Sequence, residues 1–478
     1  MEKPNAARAG HDSSVPPNLI QFMLKNWKPA AGKLPPPLTA LPSFKKRREV
    51  LSQSFPGELI VVPTGHLKVR ANDTHYSFRA GSDFFYLTGN LEPDCVLILV
   101  PQEKGHHFVL FVEPNPGKTD ATFFTDRIKG ELWEGPRLGL KESQSKYGIE
   151  DTRSLEELET FMKTGVQKHR SVRLLRGPSA RLEELLGEAT SKEKDEELKI
   201  VLSEMRLIKD EVEINELQVV VEATKRGFED VIKRVKTAKT ERELEGVFYT
   251  RARVEGNDVG YGSIVASGSH ACTLHWKKND GALRKGDLLL LDAGIEGHSL
   301  YTADITRTFP ISGKFTPEQK EIYDLVLLAQ RAAMEEVKPG QDFMEPNRAA
   351  MHVLAYGLAE LGILPTSPEE ALQEENQFYK RYSLHNVSHM LGIDVHDCAS
   401  ARAENYKYGQ LKEGMVLTIE PGLYFQEDDL TVPVKYRGIG IRIEDDVVVT
   451  ASGYMNLSAD IPHETDEIEA WIKELWRP

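Results

Sequence analysis

Four short segments hold the side chains that could do chemistry. In LLLLDAGIEGHSLYTADITRTFP (288–310), Asp292 closes an apolar run and Asp304 follows twelve residues later. Gly297 and His298 lie midway, so a hairpin folded about His298 would make 292 and 304 direct cross-strand partners, about 4.5–5.5 Å apart at Cβ. Two carboxylates that close repel, so one takes a proton or a cation sits between them. The bland alternative is a pair of solvated hairpin carboxylates. In VLTIEPGLYF (416–425), Glu420 ends a strand-like run and Pro421, which has no N–H, stops the ladder. In GIGIRIEDDVVV (438–449), period two places Arg442 and Glu444 on one face and the isoleucines on the other. Such a strand could equally be exposed, and Glu420 could be a surface residue. Asp445 and Asp446 read as surface or turn residues. In LHNVSHMLGIDVHD (384–397), His385, His389 and His396 fall within twelve residues, and CTLHW adds His275. A lone histidine is more often structural, but three in an apolar stretch point to metal or substrate.

Together these segments offer four carboxylates and one to four imidazoles. That set suits manganese, iron, cobalt or zinc rather than a thiolate metal. Two such ions about 3.5–4 Å apart share bridging carboxylates and activate water. Motifs of competing chemistries (GxGxxG, HExxH, GxSxG) do not occur.

Strand ends and sheet faces must position these groups. Strands are expected at 287–293, 302–309, 415–420, 438–444 and 446–450, and helices at 241–255, 317–337 and 346–361. Upstream, ELIVVP (58–63), CVLILVP (95–101) and HFVLFV (107–112) read as buried strands, with a helix near 155–166. Residues 1–44, with Pro35, Pro36 and Pro37 in a row, read as an extended arm. The organisation that follows is an arm at 1–44, an N-terminal α/β domain at 45–185, a helical linker at 186–205 and a catalytic domain at 206–478, α/β (α+β) in class.

At 478 residues the chain is long enough for two or three domains. A formal charge of −14 without a basic stripe argues against nucleic acid. No apolar run is long enough to span a membrane, and the first residues hold no apolar core of a secretory signal. Cys95, Cys272 and Cys398 lack CxxC spacing and read as small buried residues of a reducing cytoplasm.

At these residues the chain resembles the aminopeptidase P and prolidase family of Xaa-Pro peptidases. RAGSDFFYLTGNLEPDCVLIL (79–99) resembles its non-catalytic, creatinase-like domain and RLIKDEVEI (206–214) its domain junction. The resemblance implies a pita-bread catalytic domain holding two divalent ions, manganese foremost and zinc, cobalt or iron also acceptable. It implies that Asp292 chelates one ion, that Asp304 and Glu444 bridge both, and that His389 and Glu420 complete the other. It further implies that a hydroxide bridging the ions attacks the scissile carbonyl. By the same resemblance His275, His385 and His396 bind substrate and stabilise the tetrahedral intermediate, Arg442 matches an arginine of the family site, Glu420 relays protons, and Tyr261 and Tyr424 line the proline pocket or support the site. The implied activity is removal of the first residue from peptides with proline second, by a homo-oligomer, a dimer or tetramer. The rival within the family is prolidase, which cuts Xaa-Pro dipeptides and needs a cation for the free carboxylate, with Arg402 as the candidate. A metal-free pita-bread binding module is the remote alternative, and it would have lost ligands that this chain retains.

Overall fold

The computed structural model describes residues 15–28, 32–169 and 171–477. The chain divides into two compact units between Leu202 and Ser203, a point inside the helix Lys192–Met205.

The first unit is built on a mixed sheet in the order Asp151–Ser154, His106–Val112, Val96–Pro101, Leu59–Pro63, Val172–Leu174. The two outer pairings are parallel and the two inner ones antiparallel. Leu59–Pro63 is buried along its whole length, as its sequence LIVVP, without a polar position, requires of a strand covered on both faces. Val61, Ile98, Val109 and Phe111 pack with Met162 of helix Leu158–Lys168 and with Leu182 and Leu186 of helix Ala180–Leu186. The stretch read as an extended arm is not extended throughout. Pro17–Met23 is helical and Leu41–Ser54 starts a second helix, each with proline in its first turn, where the missing N–H costs nothing. Residues 1–14 and 29–31 of that reading lie outside the described residues.

The second unit pairs helices over antiparallel sheets. Asp210 caps helix Glu211–Val235 through a reciprocal bond with Glu213, and Thr316 caps Pro317–Glu335 with Gln319 in the same way. Helix Glu211–Val235 packs on Glu241–Glu255, and Pro317–Glu335 on Glu345–Glu360. The first pair approaches closely at Gly227, where a Cβ would lie 2.6 Å from the Phe248 ring. Leu288–Ala293 runs antiparallel to both Ile264–Ser267 and Ile305–Pro310. Val416–Ile419 pairs with Asp445–Val449, and Gly422–Tyr424 with Gly440–Arg442. Two isolated bridges stitch these sheets together: Thr306 to Glu444, and Met390 to Leu417. The second bridge brings the histidine-rich segment onto the sheet.

The hairpin register differs from the expected one. Asp292 pairs with Thr306, not with Asp304. The turn centres one residue later, on Ser299: the Gly297 N–H donates to the Tyr301 carbonyl, and Leu300 takes a left-handed φ of 63°. A displacement of two residues along the partner preserves parity, so Asp292 and Asp304 still share a face. Asp445 and Asp446 are also not surface residues. Both are buried, and partners distant in sequence reach them. Asp445 accepts from Arg307 Nη2 at 2.7 Å, Ser458 Oγ at 2.7 Å and Gln330 Nε2 at 2.9 Å. Asp446 accepts from the Asp304 backbone N–H at 3.1 Å.

Candidate metal centre

Each acidic residue of the site sits at or beside a strand end. Asp292 is next to last in Leu288–Ala293, Asp304 directly precedes Ile305–Pro310, and Glu420 directly follows Val416–Ile419. Strand ends free a side chain from the pleat while the ladder still fixes its backbone. Glu420 stays tethered through its own N–H, which donates to the Val387 carbonyl at 2.8 Å, and Pro421 then ends the pairing. Glu444 lies beyond Gly440–Arg442, held by the bridge to Thr306. Arg442 and Glu444 share the face expected from period two, but that face is buried. The exposed-strand alternative therefore does not hold.

Asp304, His389 and Glu444 each present a ligand atom within 4.8 Å of the other two, and no other group of three among the described residues does so. His389 Nε2 lies 3.3 Å from Asp304 Oδ2 and 3.5 Å from Glu420 Oε1. Its Nδ1 faces the Met390 carbonyl at 3.1 Å, which fixes the tautomer that leaves Nε2 free to ligate. The Tyr261 hydroxyl sits between Asp292 Oδ1, at 2.7 Å, and Asp304 Oδ1. Arg442 Nη2 donates to Asp292 Oδ2, its Nε to Thr306 Oγ1 at 3.2 Å, and its Nη1 to the Tyr424 hydroxyl at 2.9 Å. The Tyr424 hydroxyl in turn meets His385 Nε2 at 2.7 Å, and His385 Nδ1 faces the Asn386 carbonyl at 2.9 Å. Both nitrogens of His385 are thus engaged. His396 stands edge-on to His389, ring centroids 4.5 Å apart.

The electrostatics are those of a cluster that lacks sufficient positive charge of its own. Burial pushes Asp292 above the usual carboxylate range, against the pull of Arg442. Burial pushes Glu420 to about 7 and Glu444 well beyond its ordinary value, and the neighbouring carboxylates add to the rise. For His389, burial disfavours the cation, but the Asp304 hydrogen bond and the Glu420 and Asp304 charges prevail and hold it at about 9. Burial and the Arg442 charge keep His385 neutral, down at about 4. Four carboxylates and one imidazole with a fixed tautomer fit a hard-to-borderline divalent cation, whose charge would let every carboxylate ionise.

These groups face one cavity of about 530 Å³. Tyr261, Asp292, Asp304, Glu420 and Glu444 line it with His275, His385, His389, His396 and Arg442, so all but one of the expected site residues are gathered here. The exception is Tyr424, which is buried and reaches the site through Arg442 and His385. Arg402 does not line the cavity and donates instead to Glu204 Oε2 at 2.7 Å. Sequence reasoning missed Thr306, which orders both Arg442 and Glu444, and the cavity residues Lys277, Asn386 and Ser388. Period two marks Thr306 as sharing a face with Asp304, but nothing in the sequence marks it as a partner of Glu444.

Carboxylates converging at sheet junctions, with an imidazole among them, define a candidate site for divalent metal, and known proteins narrow its chemistry. The profile of metallopeptidase family M24 matches residues 215–451, and that of the aminopeptidase P N-terminal domain matches 44–174. Xaa-Pro aminopeptidase 1 of Streptomyces coelicolor is 49% identical over 463 residues, 96% of this chain and 93% of that one. Xaa-Pro aminopeptidase of Haemophilus influenzae is 36% identical over 89% of this chain and 96% of its own. Aminopeptidase P from E. coli with the inhibitor Pro-Leu superimposes with a TM-score of 0.82 at 32% identity, covering 92% of this chain and 99% of that one. The chain belongs to metallopeptidase family M24, in its aminopeptidase P branch. Its second unit is accordingly the pita-bread domain that the resemblance implied, and the expectation of divalent metal holds. Among the described residues no helix is long and apolar enough to cross a membrane.

Proposed function

We propose that this chain is a metal-dependent Xaa-Pro aminopeptidase, releasing the first residue from peptides with proline in second position. The observation that carries the reading is the convergence of Asp304, His389 and Glu444 ligand atoms within 4.8 Å, flanked in one cavity by Asp292 and Glu420. The relatives named above support the choice of substrate, and Arg402, engaged by Glu204, offers no support for prolidase.

Asp292, Asp304, His389, Glu420 and Glu444 would together hold two divalent ions. Manganese is the first choice, with zinc, cobalt or iron compatible. Bound there, such ions polarise the scissile carbonyl and bring water to a pKa near neutrality. Glu420, on the cavity wall beside His389, would take a proton from the attacking water and pass it to the proline nitrogen. His275 and His396, on the cavity wall, hold the substrate carbonyl as charge develops. Arg442, through Tyr424, orients His385 and fixes Asp292. Tyr261 locks the Asp292–Asp304 spacing. Ile264, Leu274 and Val395 supply apolar wall for a proline ring. Proline's tertiary amide has no N–H to satisfy, so such a wall does not penalise it. The reading extends to a cytoplasmic homo-oligomer, a dimer or tetramer, with residues 45–185 as the non-catalytic domain.

The test compares metal-loaded protein on Xaa-Pro-Yaa and Xaa-Ala-Yaa peptides, before and after chelation. Metal-dependent release from the proline peptide alone is the expected result. Equal release from both would refute the proline assignment.

A further inference from the structure

Outside the metal ligands, Glu241 is a buried carboxylate with an unusual set of partners. It is the first residue of helix Glu241–Glu255 and is fully buried. Its Oε1 accepts from the Ser267 N–H at 2.7 Å and faces His270 Nδ1 at 2.8 Å. Its Oε2 accepts from Trp276 Nε1 at 2.8 Å and from the Gly281 N–H at 2.7 Å. All four partners come from residues 267–281. The backbone repeats the tie: Glu241 N–H donates to the Gly281 carbonyl at 2.9 Å, and Thr240 bridges Ala282. His270 stacks on Trp276 at 3.9 Å, which closes the segment on itself. Gly281 has no room for a side chain, since a Cβ would lie 2.6 Å from the His270 ring and 2.7 Å from Glu241 Oε1.

The segment held in this way contributes Leu274, His275 and Lys277 to the cavity wall. Trp276, whose indole is drawn inward to Glu241, directly follows His275, which lines the cavity and is itself exposed. We infer that Glu241 is a positioning residue for the peptidase reaction: it pins residues 267–281 so that His275 projects into the cavity at the substrate carbonyl. Both oxygens are saturated by N–H donors, so only a carboxylate serves there. Glutamine would turn an NH2 group toward two of them. The inference rests on the role proposed above for His275.

The test is a double-mutant cycle between Glu241→Gln and His275→Ala in the metal-loaded full chain, read as kcat and KM on an Xaa-Pro-Yaa peptide, with metal content measured. Misplacing a group by about 1 Å can cost on the order of 100-fold in rate. Glu241→Gln should lose that much, mainly in kcat, at unchanged metal content, because residues 267–281 supply no ligand. The double variant should lie within about twofold of His275→Ala, since the two changes remove one function. Losses that multiply, or normal turnover of Glu241→Gln, would overturn the inference and leave the His275 assignment standing. Normal turnover of His275→Ala would overturn both. Should Glu241→Gln fail to fold, Trp276→Phe removes the indole N–H together with part of the ring surface that stacks on His270. A smaller loss that is likewise absorbed by His275→Ala supports the inference, and a multiplying one contradicts it.

Discussion

Thr306 and Glu444 face each other across a single antiparallel bridge, and the Thr306 hydroxyl donates to Glu444 Oε2 at 2.6 Å. The contact joins the sheet that carries Asp292 to the strand that carries Arg442. It also leaves Glu444 Oε1 as the freer oxygen. Thr306→Val keeps the β-branched shape but removes that donor. Partners behind a metal ligand are worth about 10- to 100-fold in affinity or activity. The variant should bind metal more weakly by that factor and recover activity at high metal concentration. Unchanged metal affinity would show that the hydroxyl does not orient Glu444.

Asp304 contributes at once to His389, to Tyr261 and, through its backbone, to Asp446. Asp304→Asn keeps the shape and the backbone bond while removing the charge. It should abolish turnover and lower metal content, with the far-UV circular dichroism of the parent. Near-normal turnover at full metal content would remove Asp304 from the ligand set.

The metal-free protein should lose stability as pH rises, and bound metal should offset that loss. In the metal-free protein His389 is raised from 6.5 to about 9, so its ion pairing stabilises the fold fully below pH 6.5 and is lost as pH rises through 9. Glu420 is raised from 4.5 to about 7, so burying it becomes costly as pH rises through that interval. Both shifts make the metal-free fold less stable between about pH 4.5 and 9. Metal binding requires the deprotonated ligands and cancels the loss. The gain in Tm on adding metal should therefore grow steadily across this range in calorimetry. A pH-independent gain would contradict the assignment of His389 and Glu420 as ligands.

His396, on the cavity wall, is followed by Asp397, which is anchored from below. Asp397 Oδ2 accepts from the buried Lys209 ammonium at 3.1 Å, and Arg206 Nε approaches Oδ1 to 3.1 Å. Asp397→Ala would leave the Lys209 charge buried without this counter-ion, a loss of about 3–5 kcal/mol. Chemical denaturation should register it as a lower midpoint. A midpoint equal to that of the parent would mean that Lys209 finds another partner.

Much of this was legible in the sequence because the relevant signals are local. Uninterrupted Val/Ile/Leu runs gave the buried strands, and the alternation in GIGIRIE put Arg442 and Glu444 on one face before their surroundings were known. What was not legible depends on distant partners. The pair Asp445–Asp446 reads as a turn until Arg307 and Gln330 are brought against it. The hairpin register escaped because its left-handed residue is Leu300, where no glycine signals it. Tyr261 could be assigned only by resemblance, since its link to Asp292 and Asp304 spans two strands. The helix Pro17–Met23 was hidden by flanking prolines that read as extended chain.

The most direct test of the account follows release of the first residue from an Xaa-Pro dipeptide and an Xaa-Pro-Yaa tripeptide by metal-stripped protein, with and without added Mn²⁺. The account predicts no cleavage without metal and restored cleavage of the tripeptide with it. Cleavage of the dipeptide alone, or no cleavage of either peptide by fully metal-loaded protein, would contradict it.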